Sequence, residues 1–375
     1  MKFSEMPYTR PDAEALKKQM SQLTERLKSA ASYEEARQVF LEKEAASRTV
    51  ETQATLASIR HSIDTRDTFY DGEEKFWNTF GPELEEYEQA WKAAMLDSPF
   101  RKDFSAEYGD LMFLNAEIAR KCFKPEIIPE MQQENDLTQE YEKLQASAQI
   151  PFEGKTYTLS QLTPLKSDPD DARRLAAWQA DAKWSMEHAA ELDELYDKLV
   201  HLRDSMGKKM GYEGYTTLGY YRMNRNCYTK EDVEKFRTAV QKYLVPVADK
   251  ICRKQAERLG KTYPLSFADL ALEFRSGNPC PMGTPDDILA QGMKFYGELS
   301  PETKVFFRTM LDNELLDVLS TEGKQAGGYC TSLGDYEVPF IFANFNGTQH
   351  DVEVVTHEAG HAFADWTNRK RIPSS

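Results

Sequence analysis

The sequence predicts a mainly α-helical, multi-helical fold with a small β hairpin and a short β region late in the chain. Long stretches rich in Ala, Leu, Glu, Lys, Gln and Arg, which are strong helix formers, lie between well-marked helix starts. Residues 11–148 contain few glycines and little alternation of β-branched residues. The hydrophobic fraction of 40% is enough for a substantial core.

The helix starts combine a short polar cap with an acid or a proline in the first turn. They are Ser32 with Glu35, Asp168-Pro169-Asp170-Asp171, Thr229 with Asp232, Thr284-Pro285-Asp286-Asp287, and Ser300-Pro301. Each of these signals predicts that a helix begins at that point.

Two segments interrupt the helical pattern. Residues 151–159 resemble a hairpin with its turn at Gly154, and residues 327–347 contain an apolar run from Val338 to Phe345 between Gly327-Gly328 and Asn346-Gly347. We therefore expect two regions, a helical N-terminal region at 1–150 and a second region at 151–375.

Composition excludes several classes of protein. The net charge of −15 argues against a nucleic-acid-binding surface, which needs clustered Lys and Arg. The five cysteines are scattered and form no C-x-x-C pair, so neither a disulfide framework nor a cysteine zinc site is indicated. No signal-peptide core and no apolar run long enough to span a membrane is present, so we expect a cytoplasmic protein without a membrane partner.

The residues that carry chemistry follow the predicted strand. Thr348 is a candidate helix cap, with Asp351 as the acid three residues later. Helical spacing then places Val352, Val355, Ala359, Ala362 and Trp366 on one buried stripe, and His357 and His361 together on a different face. We expect one helix from about Gln349 to Asn368.

His357, Glu358 and His361 form the pattern H-E-x-x-H. Histidines one turn apart can both reach one metal ion, and the intervening Glu358 is offset by about 100° around the helix axis. Two neutral imidazoles would then hold Zn²⁺ while the carboxylate takes a proton from zinc-bound water. The alternative is a surface helix that carries two histidines by coincidence.

The segments around this helix resemble the oligoendopeptidase F branch of the thimet-oligopeptidase-like zinc metallopeptidases. The segment from Pro339 to Thr348, followed within a dozen residues by His-Glu-Ala-Gly-His, carries most of the resemblance. Further matching segments are Met210-Gly211-Tyr212, Tyr221-Arg222-Met223, the run from Tyr228 to Val233, Phe236-Arg237, Val245-Pro246-Val247 and the hairpin at 152–159.

The resemblance implies a zincin-like helical peptidase with a deep cleft, one zinc ion, and hydrolysis of short peptides. It assigns His357 and His361 as zinc ligands and Glu358 as the general base. It also implies that the peptide substrate pairs with the strand before the helix, which makes Phe342, Ala343 and Asn344 candidate substrate-binding residues.

The sequence departs from the family pattern after the second histidine. The family has a third zinc ligand, a glutamate about two dozen residues further on, but only fourteen residues follow His361 and none is Glu. Asp365 lies ~12 Å along the helix from His357, so we expect it to contact His361 or to be solvated. We therefore expect residues 151–375 to be the N-terminal part of the catalytic domain of such a metallopeptidase, truncated after the H-E-x-x-H helix. We expect the chain to be inactive alone. The third ligand would lie in a missing C-terminal portion, which is a potential partner chain.

Two other interpretations remain open at this point. One is a helical peptide-binding module in which H-E-x-x-H is a relic, and the other is a different metallohydrolase with another third ligand. His61, His188 and His201 stand alone on charged helices, and we expect them to be surface or partly buried residues.

Overall fold

The computed structural model describes residues 1–371 and consists of helices with two small sheets, which confirms the predicted fold class. The helices are α1 (Ala13–Ser29), α2 (Tyr33–Ile63), α3 (Thr68–Leu96), α4 (Arg101–Tyr108), α5 (Leu111–Ala119), α6 (Ile128–Ala146), α7 (Leu159–Leu162), α8 (Asp171–Glu187), α9 (Ala189–Lys209), α10 (Tyr215–Arg222), α11 (Lys230–Ala239), α12 (Val245–Leu259), α13 (Pro285–Leu299), α14 (Pro301–Asp312) and α15 (Gln349–Asn368). The strands are β1 (Ile150–Phe152), β2 (Lys155–Tyr157), β3 (Leu316–Leu319), β4 (Tyr329–Leu333) and β5 (Val338–Phe345).

The helix caps follow the sequence signals closely. Thr284 and Asp287 form a reciprocal capping box at the start of α13, and the Ser300 side chain accepts the backbone N–H of Thr303 at the start of α14. At α8 the cap is Asp170 rather than Asp168, so the helix begins after the proline instead of with it. The local polar signals therefore place the helix starts to within a few residues.

The hairpin forms where the sequence predicts it. Strands β1 and β2 pair antiparallel, with Phe152 opposite Lys155. The two turn residues, Glu153 and Gly154, both have positive φ, at 48° and 75°. That conformation matches the right-handed twist of the two strands, and glycine adopts it without steric cost.

The second sheet has three strands in the order β3-β5-β4. β5 pairs parallel with β3 on one side and antiparallel with β4 on the other, so it is the central strand. Helix α15 follows β5 directly and packs on both β5 and β4. This arrangement fixes the helix against the sheet over much of its length.

One large apolar core surrounds this sheet and helix. It contains Phe306, Phe307 and Met310 of α14, most of β5, and the α15 stripe, and it also includes Phe3 and Met6 from the start of the chain. The core thus joins residues of both predicted regions. The division at residue 150 stays a prediction, and residues 372–375 of the second region lie outside the described residues.

None of the helices described within residues 1–371 is long and apolar enough to cross a membrane.

Candidate functional site

The site is built on α15, which runs from Gln349 to Asn368 as the sequence predicts. Val355, Ala359 and Ala362 of the predicted stripe are at most 1% exposed, and Val352 and Trp366 pack against the same core. The helix cannot rotate about its axis without exposing these residues to water, which fixes the direction in which the other face points.

The start of α15 is held by a buried carboxylate. Asp351, 2% exposed, accepts the backbone N–H of Asn346 at 3.0 Å and that of Gly347 at 2.7 Å. Thr348 occupies the cap position, but its side chain makes no capping bond and instead donates to the Asn346 side chain at 2.7 Å. Thr348 therefore occupies the predicted cap position, but the predicted capping bonds are not formed. Asp351, in the first turn of the helix, instead binds the backbone of the preceding loop.

His357 and His361 face outward on the same side of the helix, and both side chains are exposed. Their Nε2 atoms are 3.2 Å apart and the two rings cross at 77°. Two nitrogens bound to one tetrahedral zinc at 2.0–2.1 Å would be separated by roughly 3.3 Å. The pair therefore has the spacing of two ligands of one metal ion.

Glu358 lies between the histidines in sequence and is half-buried. Among the described residues no hydrogen bond or ion pair is formed by its carboxylate, so its oxygens are free to accept a proton. Cys330 lies on β4, the strand on which α15 packs. Burial, with the negative charges of Asp365 and Glu358, raises the pKa of the Cys330 thiol to about 12. Cys330 is therefore a neutral thiol on the strand beside the candidate base.

Among the described residues, no hydrogen bond or ion pair joins Asp365 to His361. The Oδ2 atom of Asp365 accepts the hydroxyl of Ser332 on β4 at 2.7 Å, and the side chain is exposed to solvent. Within residues 1–371, no group of three His, Cys, Asp or Glu side chains is arranged to hold a metal ion. His350 is exposed and lies 3.5 Å from Glu353, away from the histidine pair.

The expectation that the substrate pairs with the strand before the helix is wrong for β5. A central strand has its backbone groups paired on both sides and offers no free edge. Phe342 and Ala343 are at most 1% exposed, and the Asn344 amide donates to the carbonyl oxygens of Gln325 and Gly327. The edge strand next to α15 is β4.

Sequence reasoning missed the residues of β4. Tyr329, Cys330 and Ser332 lie on the edge strand beside the helix, and the Ser332 hydroxyl donates to Asp365. The turn signal Gly327-Gly328 directly before Tyr329 was the available indication of a strand start.

Two family models match the chain. Residues 3–123 match the peptidase M3 N-terminal domain, and residues 302–375 match peptidase family M3. The second match includes β3, β4, β5 and α15, so it covers the strand and helix that form the site. Among curated proteins no relative matches the chain.

Solved structures match over the whole chain. A protein provisionally described as oligoendopeptidase F is 40% identical with a TM-score of 0.98, over 100% of this chain and 66% of its own length. A protein of the same description from Bacillus anthracis str. Ames is 41% identical with a TM-score of 0.98, over 100% of this chain and 69% of its own. PZ peptidase A, solved with an inhibitor, is 41% identical with a TM-score of 0.97, over 99% of this chain and 66% of its own. The chain thus spans about two thirds of the length of each.

Proposed function

The chain belongs to peptidase family M3, and on that basis we propose that it forms part of a zinc-dependent endopeptidase of short peptides. The observation that carries the proposal is the 3.2 Å separation of the two Nε2 atoms on the exposed face of α15. That spacing suits two ligands of one tetrahedral zinc. The relatives described as oligoendopeptidase F and PZ peptidase A support peptides as the substrate class.

His357 and His361 would hold the metal. When bound, zinc lowers the pKa of its water toward neutrality and polarises the peptide carbonyl. Two protein ligands are fewer than the three that catalytic zinc sites use. We infer that the third ligand comes from outside residues 1–371, which contain no third group at the right place.

Glu358 would act as the general base. Its carboxylate is one residue from His357 and has no partner among the described residues, so it can take a proton from the attacking water and pass it to the leaving amine.

We place the peptide substrate along β4. Its outer edge has no partner strand among the described residues, and strand addition to such an edge supplies backbone hydrogen bonds that do not depend on the peptide's sequence. Helix α15 packs on β4, so a peptide paired with β4 would run beside the helix that carries the candidate base. The backbone of Tyr329–Leu333 then replaces Phe342, Ala343 and Asn344 as the proposed binding segment.

A complementation experiment tests this function. The chain spans 69% of the Bacillus anthracis relative, so the remainder of that protein can be fused to it or co-expressed with it. The assembled protein should bind one zinc and cleave an internally quenched peptide. Glu358→Gln should keep the zinc and lose hydrolysis by about 10²–10⁴-fold, because an amide cannot accept the proton.

Glu353→Gln is the matched control, since it removes an exposed acid from the same helix five residues earlier. It should leave activity within about twofold of the unsubstituted protein. Zinc bound without hydrolysis in the assembled protein would favour a peptide-binding module with a relic motif. Failure to bind zinc at all would overturn the metal assignment.

A further inference from the structure

Helices α11 and α12 form one continuous helix, the α11–α12 helix. α11 (Lys230–Ala239) passes through a π-helical turn at Val240–Leu244 into α12 (Val245–Leu259) without a break. At 1.5 Å per residue it is about 45 Å long. None of residues 230–255 is buried, and the first buried side chain is that of Ala256 near the C-terminal end.

An apolar patch runs along this helix and faces solvent. It consists of five side chains that are between 50% and 69% exposed: Phe236, Tyr243, Leu244, Val247 and Ile251. Helical spacing places them along one side of the helix. Single exposed apolar residues are ordinary at a protein surface, whereas a continuous patch marks a surface that binds another molecule. We refer to these five residues as the α11–α12 patch.

Only the C-terminal end of the α11–α12 helix is held by the rest of the described chain. The Gln255 side chain donates to the carbonyl oxygens of Leu270 and Leu272, at 3.0 and 2.8 Å, and Arg258 donates to that of Glu273 at 2.6 Å. In proteins most of the stability of a helix comes from burying an amphipathic face. Residues 230–255 therefore lack the packing partner that their apolar side requires.

The α11–α12 helix is basic, in contrast to the whole chain. Residues 230–259 contain eight Lys and Arg residues against five Asp and Glu, while the chain carries a net charge of −15. A dimer built through this helix would bring two positive surfaces together. A partner with acidic residues around an apolar face is complementary to it instead.

The solved relatives contain a part of the fold that this chain lacks. They match 99–100% of this chain but only 66–69% of their own lengths, so about a third of each relative has no counterpart here. The histidine pair also lacks a third ligand within residues 1–371. One absent polypeptide segment accounts for both the uncovered helix and the incomplete metal site.

The segment that follows α12 reaches the start of the histidine helix. Ala271 and Cys280 of this segment line one cavity together with Gln349 and His350 of α15. The α11–α12 helix and α15 thus belong to adjoining parts of the fold. A segment that makes up about a third of a peptidase is large enough to contact both.

We propose that the α11–α12 patch is the docking surface for the part of the peptidase M3 fold that this chain lacks. The occupant is a polypeptide that packs apolar side chains on the patch, presents acidic residues to the basic flanks of the helix, and supplies the third zinc ligand. The inference rests on the proposed function for the zinc ligand, whereas the packing requires neither zinc nor hydrolysis.

Thiol labelling tests the docking. Residues 1–375 are fused to the remainder of the Bacillus anthracis relative, and Val247→Cys is introduced in the fused protein and in the 375-residue chain. Thr238→Cys, at an exposed polar position of the same helix outside the patch, is the matched control. Peptide mass spectrometry separates each new thiol from the five native cysteines. Fusion should slow maleimide labelling at position 247 about tenfold or more, and at position 238 by less than about twofold.

The double variant Tyr243→Ser, Val247→Ser tests whether the patch holds the two parts together. A protease site is placed at the fusion point and cut, and the parts are then separated by gel filtration. The unsubstituted parts should stay associated, and the double variant should weaken their association about tenfold or more. Leu111→Ser, which removes an apolar side chain that is 58% exposed on α5, should leave the association intact. Circular dichroism establishes that each variant is folded.

Labelling at position 247 that is slowed no more than at position 238 would overturn the proposal, and so would an association that survives the double variant. Two further outcomes would give the patch to another occupant and also overturn it. One is a dimer of the fused protein that the double variant dissociates, and the other is binding of the fused protein to phosphatidylserine vesicles that the double variant abolishes. Neither measurement depends on zinc, so the docking surface and the proposed function can fail separately.

Discussion

Ser332 and Asp365 join the edge strand β4 to the C-terminal part of helix α15: the hydroxyl of Ser332 donates to Oδ2 of Asp365 across 2.7 Å. Asp365 comes one turn after His361, so the bond lies just beyond the histidine pair. Together with the packing of α15 on β4 it holds the free edge of the sheet at a fixed distance from Glu358. The spacing between the candidate base and a peptide on β4 therefore depends on residues outside the H-E-x-x-H motif.

The first prediction concerns zinc binding and peptidase activity of residues 1–375 when no other chain is present. A homogeneous preparation of residues 1–375 should bind zinc weakly and show no peptidase activity, because two histidines are an incomplete ligand set. Intact mass, zinc stoichiometry and hydrolysis of a quenched peptide, measured on one sample, check this. Full activity from that species would show that a third ligand has been overlooked.

Chelation should barely affect the stability of the same preparation. Helix α15 is held by its buried stripe and by Asp351, not by the metal. Excess chelator should shift the melting temperature by less than about 1 °C, since a weakly bound ion contributes little folding free energy. A drop of several degrees would mean that zinc is bound tightly.

The second prediction concerns the anchor of the helix. Asp351→Ala leaves the backbone N–H groups of Asn346 and Gly347 without their buried acceptor and should lower the free energy of unfolding by ~1–3 kcal/mol. Asp351→Asn keeps one acceptor oxygen and should cost less. Urea denaturation of both variants measures the difference, and equal losses would contradict the assigned role.

The third prediction concerns the packing behind the helix. Phe306 is fully buried, and its ring lies 5.3 Å from that of Phe363 on α15. Phe306→Ala should cost ~3–5 kcal/mol, because it leaves a cavity under the helix. Phe236 on α11 is 69% exposed, so Phe236→Ala should cost less than about 1 kcal/mol. Thermal melts of the two variants provide the comparison.

The fourth prediction concerns pH. Burial, Glu142 and Asp71 raise the pKa of Glu74 from 4.5 to about 7, so the folded state binds the proton more tightly than the unfolded state. The contribution of Glu74 protonation to stability is complete below the pKa of Glu74 in the unfolded state. It is lost as pH rises through about 7, the pKa in the folded state. The effect of Glu74→Gln on the free energy of unfolding should therefore be more favourable at about pH 8 than at about pH 5, by ~1–2 kcal/mol. An effect that does not change with pH would show that Glu74 titrates normally.

The structure confirms the features that depend on local sequence. The bounds of α15 agree with the expected Gln349 to Asn368, and the Gly154 turn and the α13 cap form where their residues indicate. Caps, turns and the helical stripe each arise from contacts within a few residues. Such contacts can be recognised in the sequence directly.

The features that depend on distant contacts were not predicted. β3 is a four-residue strand, and its parallel pairing with β5 joins segments more than twenty residues apart. The central position of β5 follows from that pairing, so the sequence alone suggested the wrong edge for the substrate. The burial of His61 likewise results from packing between α2 and other elements, which the charged pattern of its own helix does not reveal.

The connection between β5 and α15 has only three residues, Asn346 to Thr348. Because it is so short, the angle at which α15 leaves the sheet determines where the histidine pair lies. His361 is ten residues beyond Asp351, or ~15 Å along the helix axis. A tilt of about 5° at the anchored end would therefore move the His361 ring by roughly 1.3 Å, a displacement of the size that costs an enzyme about two orders of magnitude in rate. Substitutions at Asp351 or in the connection from Asn346 to Thr348 should therefore change catalysis by displacing His361, although these residues contact neither metal nor substrate.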